Sequence, residues 1–383
     1  MQKLLESLRF RLFERPSRLA ARRGRKGKTI AFEVVQNGNR VEIQGDGISI
    51  YFTADGTIAF PSRFDASFSV WALLPKAMED GFDIYIKQPL DPKVAANAER
   101  LSQVWEMWLP DRYSSVKVRG QGEWARTPRN RLPLVQLFSG GVDSTYSILK
   151  NRDSKNPGFV VTLSRFDKVK LKNYAGLIAQ TEPLLKHLNY TRLIITNNVQ
   201  HRHFSFTHAI TLASCLFFVS DLFDAGTIAA DSTYQSEFAI WPWGNNHFTN
   251  GFFTGTDFAV RTVGSEAGRT EKIAAIADAG IDLRCLSFCR EQSAMPSNCG
   301  ICDKCITTKA MFLLATGSIP EIFLDNSFDE GSLRTLLDKR TERVDVFNMY
   351  FYAKKHGLLD RIESLESVVE EGRTRGRRQW IFD

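Results

Sequence analysis

Residues 139–144 read Ser-Gly-Gly-Val-Asp-Ser, and their flanks leave the chain little freedom. The apolar run Leu132-Pro133-Leu134-Val135-Gln136-Leu137-Phe138 comes directly before them, and the helix-like stretch Thr145-Tyr146-Ser147-Ile148-Leu149-Lys150 directly after. A buried strand that ends in hydroxyl–Gly–Gly and turns at once into a helix makes an anion cradle. The glycines permit φ > 0 and a close backbone approach, and the N–H groups of the helix N-terminus point at negative charge. A nucleotide's phosphates are expected here, against Ser139, Gly140, Gly141, Val142, Asp143, Ser144 and Thr145. No Gly-Lys-Ser or Gly-Lys-Thr follows the glycines, so the lysine of a Walker-type loop is missing. The plain alternative is a Gly-Gly turn whose serines cap the helix.

A chain of 383 residues suits two or three domains, and 43% hydrophobic content is enough for packed cores. No apolar run approaches the length of a bilayer span, and the N-terminus lacks an apolar segment with a small-residue cleavage site. A cytoplasmic location without a membrane partner is the expectation. The net charge of +7 is concentrated: residues 1–28 hold ten Lys or Arg and two acids, so the body is near neutral. Arg9, Arg11, Arg15, Arg18, Arg22, Arg23 and Arg25 alternate there with Leu4, Leu5, Leu8, Leu12 and Phe13. This reads as an amphipathic arm for RNA, DNA or an acidic protein partner, or as a solvated terminus. Nucleic acid is disfavoured, because the body shows no matching basic stretch.

Residues 29–128 read as a smaller α+β module. Strand patterns cover 29–35, 40–43, 48–52, 68–74 and 82–86, with turns at Asn37-Gly38 and Asp55-Gly56. A helix is expected over 91–108, with Val94, Ala98, Leu101 and Val104 on one face, and Val116-Lys117-Val118 as a return to the sheet. From 129 to 288 the rhythm becomes strand–helix–strand. Strands are expected at 159–163, 192–196 and 227–230, and helices at 173–188 and 206–223. That is α/β, a parallel doubly wound sheet, in which ligands bind beyond the carboxyl ends of the strands. Leu163, Ser164 and Arg165, Asn197 and Asn198, and Ser232 to Tyr234 occupy such ends.

The stretch 241–269 reads as a long loop of the kind that closes over a substrate. Trp243, Asn245, Asn246 and His247 would stack on and hydrogen-bond a heterocycle together with Ser232 and Tyr234, or simply pack. Arg269 and Lys272 open the next helix, where cations oppose the dipole. A phosphate between them is one reason for that placement; two solvated side chains are the other.

Five of the six cysteines lie between 285 and 305. Cys289, Cys299, Cys302 and Cys305, with two Cys-x-x-Cys steps, suit tetrahedral Zn²⁺. Four thiolates leave no open position, so the zinc would be structural, pinning the segment 289–317. Lys304 and Lys309 would offset the thiolate charge, and Gly317 would end the helix begun at Ile306. Cys285 is a spare or a substitute ligand, and Cys215 a core residue. An iron–sulfur cluster or redox-active thiols are the competing readings. Residues 318–383 read as helical and charged, ending in Arg373, Arg375, Arg377 and Arg378.

The loop resembles the Ser-Gly-Gly-x-Asp-Ser signature of PP-loop ATP pyrophosphatases. Together with the cysteine spacing, residues 133–317 resemble 7-cyano-7-deazaguanine synthase. The resemblance implies an adenine-nucleotide α-hydrolase-like sheet with a zinc segment. It implies an ATP-dependent ligase that adenylates 7-carboxy-7-deazaguanine and transfers the acyl group to an amine. Residues 139–144 would then bind ATP, Asp143 would help hold Mg²⁺, Lys272 would lie near nucleotide or substrate, and the four cysteines would hold zinc. Two departures stand out: about 130 residues precede the loop, and the Trp-Pro-Trp-Gly-Asn-Asn-His stretch replaces the usual substrate contacts. Both traits resemble the longer synthase-like proteins of bacterial anti-phage gene clusters. A deazapurine-like substrate, a protein partner on the N-terminal module or arm, and a homodimer are the associated expectations. Two rival functions fit the same residues: a tRNA-modifying sulfur transferase, and a nucleotide-sensing adaptor of a defence complex.

Overall fold

The computed structural model describes residues 27–55, 65–125, 130–153, 155–165, 168–199, 202–291 and 293–376. The basic arm of residues 1–26, the Gly56 turn position, and Arg377 and Arg378 lie outside the described residues. In chain order the elements are β1 (Thr29–Asn37), β2 (Arg40–Gly45), β3 (Ile48–Asp55), α1 (Phe68–Asp80), β4 (Asp83–Ile86), α2 (Pro92–Trp108) and β5 (Val118–Gly120). Next come β6 (Val135–Leu137), α3 (Val142–Lys150), β7 (Gly158–Arg165), α4 (Lys168–His187), β8 (Tyr190–Asn197), α5 (Phe204–Phe218), β9 (Ala225–Ala229) and α6 (Tyr234–Ile240). The last are β10 (Ala259–Val263), α7 (Arg269–Asp278), α8 (Asp303–Thr316), α9 (Arg340–His356) and α10 (Leu365–Gly376). Among the described residues no helix is long and apolar enough to cross a membrane.

The chain divides into two compact units. One contains the residues up to Pro133, Asn197–Gly226 and Phe248–Arg261; the other contains Leu134–Thr196, Thr227–His247 and the residues from Thr262 onward. In the first unit the strands run in the order β3-β2-β1-β4-β5. β1, β2 and β3 form an antiparallel meander, whereas β4 and β5 add in parallel. Alternation along β1 to β3 turns Phe32, Val41, Ile43, Ile50 and Phe52 inward.

Residues 68–74, expected as a strand, are helix α1. Phe68 through Pro75 are buried on every face, so their apolar run carries no period that separates strand from helix. Trp71 meets Phe217 of α5 with ring centroids 5.7 Å apart and Phe253 at 5.3 Å. Cys215 is buried in α5, and burial pushes its thiol up to about 12. It is a core residue. Asn198, at a strand end, donates to the Ser49 carbonyl (3.1 Å) and accepts from the Tyr51 N–H (2.8 Å), so it serves β3.

The second unit is α/β with a mostly parallel sheet built on β6, β7 and the greater part of β8. β6 and β7 pair in parallel with Val135 opposite Phe159. The core brings together Phe138 and Ile148, Ile273 and Ile276 of α7, Met311 and Phe312 of α8, and Val346, Met349, Leu365 and Val368. The C-terminal helices are therefore part of this unit's core. The stretch 241–269, expected as one long loop, contains a short helical turn at His247–Asn250 and strand β10. The five-residue run Ala259-Val260-Arg261-Thr262-Val263 was hidden by the polar residues around it.

Candidate functional site

The strand–loop–helix corner is formed by β6, Ser139–Gly141 and α3. Gly140 has φ +75°, and a Cβ there would stand 2.8 Å from Thr181 Cγ2 and 3.2 Å from Leu177 Cδ1. Both the conformation and the packing select glycine. Gly141 is the N-cap of α3 with no side chain to satisfy the first turn. Ser144 Oγ lies 3.1 Å from Ser139 Oγ, accepts from the Ser139 N–H (3.2 Å) and donates to the Gly141 carbonyl (3.1 Å). The serines brace the turn. Thr145 is buried behind them; Leu163 is half-buried in β7, and Ser164 follows it in that strand.

A small cavity of about 60 Å³ lies against this corner. It is bounded by Ser139, Gly141, Val142, Asp143 and Ser144, by Arg269 of α7, and by Phe288, Lys304 and Thr308. That is room for one phosphoryl-sized group, and far less than the roughly 300–1,000 Å³ of a small-molecule pocket.

Asp143 is clamped by two cations. Arg269 Nη2 lies 2.5 Å from its Oδ2 and Lys272 Nζ 3.0 Å from its Oδ1. Burial works to raise the carboxyl's pKa, but the guanidinium and ammonium outweigh it and hold the group well below the usual carboxylate range. Lys272 is buried and satisfied, because it also donates to the Ala230 carbonyl at 2.6 Å, just past β9. The N-terminus of α7 is kept for these cations by Glu271, which accepts from the Gly268 N–H at 2.7 Å. Both oxygens of Asp143 thus bind protein cations, and a Mg²⁺ ion there would have to share them with Arg269 and Lys272.

The residues expected to read a heterocycle have other partners. Asn245 donates to the Ala229 carbonyl (3.0 Å) and Asn246 to the Trp243 carbonyl (2.5 Å), both from buried positions. Trp243 Nε1 donates to Asp231 Oδ2 at 2.9 Å. The His247 N–H is held by the Glu237 carboxylate at 3.0 Å, and its ring stands edge-on to Tyr234 with centroids 4.8 Å apart. These contacts build the segment after β9; Tyr234 and His247 are exposed, Ser232 and Trp243 half-buried.

Cys289, Cys299, Cys302 and Cys305 converge, their sulfurs all within 4.8 Å of one another. The pairs Cys289–Cys302 and Cys299–Cys305 are 4.0 and 3.8 Å apart. Disulfide bonds are about 2.05 Å long, so these are not disulfides. A tetrahedral ion with bonds of about 2.3 Å requires sulfur–sulfur edges of about 3.8 Å, so the quartet fits Zn²⁺. The N–H groups of Cys299, Ile301 and Cys302 point at the sulfurs at 3.3–3.5 Å, as thiolates require. Gly300 has φ +86°, and a Cβ there would lie 2.0 Å from the Asp325 carbonyl oxygen. Cys285 is buried in the hydrophobic core and stands outside the quartet.

Of the two lysines expected to balance the thiolates, Lys309 donates to the Ser327 carbonyl at 2.6 Å and lies 5.2 Å over the Phe323 ring. Lys304 instead lines the cavity at the corner. Helical periodicity explains this: Lys304 and Thr308, four apart on α8, share a face. The metal centre meets the corner a second time, where the Ser287 N–H donates to the Gly140 carbonyl at 2.8 Å.

Sequence reasoning read residues 318–383 as helical but assigned α9 no place at the site. Glu342 binds Arg290 at 2.8 Å, Asn348 binds Ser236 Oγ at 2.9 Å, and Asp345 lies between them on the same helix. Burial pushes the Asp345 carboxyl up to about 6, against the pull of Arg269 and with help from Asp143. The i, i+3 spacing of Glu342, Asp345 and Asn348 was a legible signal, but nothing tied that stripe to a site 200 residues away. Comparisons with models of protein families, with curated proteins and with solved structures find no match to this chain.

Proposed function

We propose that the chain is an ATP-dependent ligase of the PP-loop kind, which adenylates a carboxylate and passes the acyl group to an amine. The observation that carries the reading is the Ser-Gly-Gly-Val-Asp-Ser corner with a phosphate-sized cavity against it, edged by Arg269 and Lys304. Anionic oxygens suit that surround: N–H groups of a helix start, serine hydroxyls and fixed cations.

In the reaction, the carboxylate attacks the α-phosphorus of ATP and pyrophosphate leaves with the electrons of the broken P–O bond. An amine then attacks the acyl carbon, and AMP departs. Cations fixed in advance stabilise the charge that develops on the phosphoryl oxygens. Asp143 has the task of holding Arg269 and Lys272 in place. The cysteine quartet would hold Zn²⁺ as a structural ion that fixes the ends of segment 289–305. A 7-carboxy-7-deazaguanine-like acid is the first substrate to try, and a role in anti-phage defence rests on the resemblance alone.

The test is pyrophosphate release by the zinc-loaded chain with Mg-ATP, 7-carboxy-7-deazaguanine and ammonia. Release that depends on the acid supports the reading. No release with this or any related deazaguanine acid, from a chain that also fails to bind ATP, contradicts it.

A further inference from the structure

We infer that Lys304, set between two metal-ligand cysteines, is an anion-binding residue of the corner cavity, and that it takes one phosphoryl group of a pyrophosphate-type anion whose remainder extends out of the cavity. The identity of that anion rests on the ligase reading; the site rests on geometry.

Three cationic side chains gather at the corner, and they are not equivalent. Lys272 is satisfied by Asp143 and the Ala230 carbonyl. Arg269 is paired with Asp143 at 2.5 Å. Lys304 has no ion pair and no side-chain hydrogen bond among the described residues, yet it lines the cavity. Lys304 is half-buried, and an anion in the cavity gives its ammonium a partner in a setting less screened than open water. Beside it stand the Ser139 hydroxyl and the backbone at the start of α3, from which an anion accepts, while the Ser144 and Thr308 hydroxyls donate to the Gly141 and Lys304 carbonyls at 3.1 and 2.6 Å.

Lys304 is also held unusually firmly. Cys302 and Cys305 flank it and belong to the sulfur quartet, while Cys302 is the N-cap of α8. The backbone on both sides of Lys304 is therefore tied to the metal centre, which fixes where its side chain starts. The quartet becomes a mount for one phosphate-binding lysine, and loss of the metal should weaken anion binding as well as the fold.

The experiment is calorimetric titration of inorganic pyrophosphate into the full, zinc-loaded chain and into Lys304→Met and Lys304→Arg. Lys304→Met should bind roughly 10- to 100-fold more weakly, the range of one charge-assisted hydrogen bond. Lys304→Arg should recover part of the loss, and zinc content should stay unchanged in both. A second readout needs no variant: saturating pyrophosphate should protect Lys304, and not exposed Lys354, from acylation read by mass spectrometry. Equal affinity in wild type and Lys304→Met, undiminished acylation of Lys304, or a wild type that binds no pyrophosphate overturns the inference. Pyrophosphate binding through Lys304 by a chain that neither binds ATP nor releases pyrophosphate from it would leave this inference standing and sink the ligase reading.

Discussion

Asp143→Asn is the substitution whose effect the structure sizes most directly. The side chain is 16% exposed and lies within 3.0 Å of both Arg269 and Lys272, which are 15% and 1% exposed. Removing one partner of a buried ion pair costs about 3–5 kcal/mol, mostly from leaving the opposite charge unpaired. Here two cations lose their partner. For a unit of about 200 residues, the size of the one that holds Asp143, about 1 kcal/mol moves the melting temperature by roughly 2–4 °C, so a fall on the order of 10 °C is expected. Arg269, which borders the cavity, then lacks its carboxylate, whereas Lys272 keeps the Ala230 carbonyl. Pyrophosphate should therefore raise the melting temperature of Asp143→Asn more than that of wild type, by the usual dependence on ligand over Kd. The pH sign follows from the depressed carboxyl. Its contribution in wild type is fully present above the unfolded carboxylate value of about 3.9 and is lost as pH falls below it, and the variant should lack that acid-limb slope. Urea denaturation with and without pyrophosphate, across pH 3–7, measures all three. A variant within about 1 kcal/mol of wild type, or one indifferent to pyrophosphate, would refute the clamp.

Cys302→Ser should retain less than one zinc per chain by elemental analysis and unfold at lower temperature or precipitate, since metal affinity and folding are linked here; full zinc and unchanged melting would deny the quartet its structural role. Gly140→Ala should lose about 1–3 kcal/mol from its positive φ and its close approach to Thr181, together with most pyrophosphate affinity; unaltered calorimetry would mean the turn is not the cradle. Glu79, in α1, is pushed up to about 7 by burial, against the pull of Arg202 and with help from Asp80. Its folded pKa exceeds the unfolded value, so wild-type stability should fall as pH rises from about 4.5 to about 7. Glu79→Gln should flatten that window and be the more stable protein at pH 8 by up to about 3 kcal/mol; parallel pH profiles would place Glu79 in water.

Short-range signals were readable because local chemistry decides them. The Gly-Gly corner, the helix that follows, the cysteine quartet and Gly317 as the α8 terminus all stand at their sequence positions. What escaped was set by tertiary environment. Phe68–Leu74 is apolar on all sides, and only burial on every face makes it helix α1. Lys304 looked like a thiolate counter-charge from its neighbours in sequence, whereas the pitch of α8 turns it to the corner. Asn245 and Asn246 looked like readers of a ligand, and the backbone after β9 takes both. The polar stripe carrying Asp345 was legible, but its link to Arg269 was not, because that depends on how α9 packs within the second unit.

The most direct test of the phosphate cradle at residues 139–144 is a calorimetric titration of Mg-ATP into the folded, zinc-loaded chain. One binding event per chain, weakened by Gly140→Ala, is the predicted result. A flat thermogram from well-folded, metal-loaded protein would contradict it.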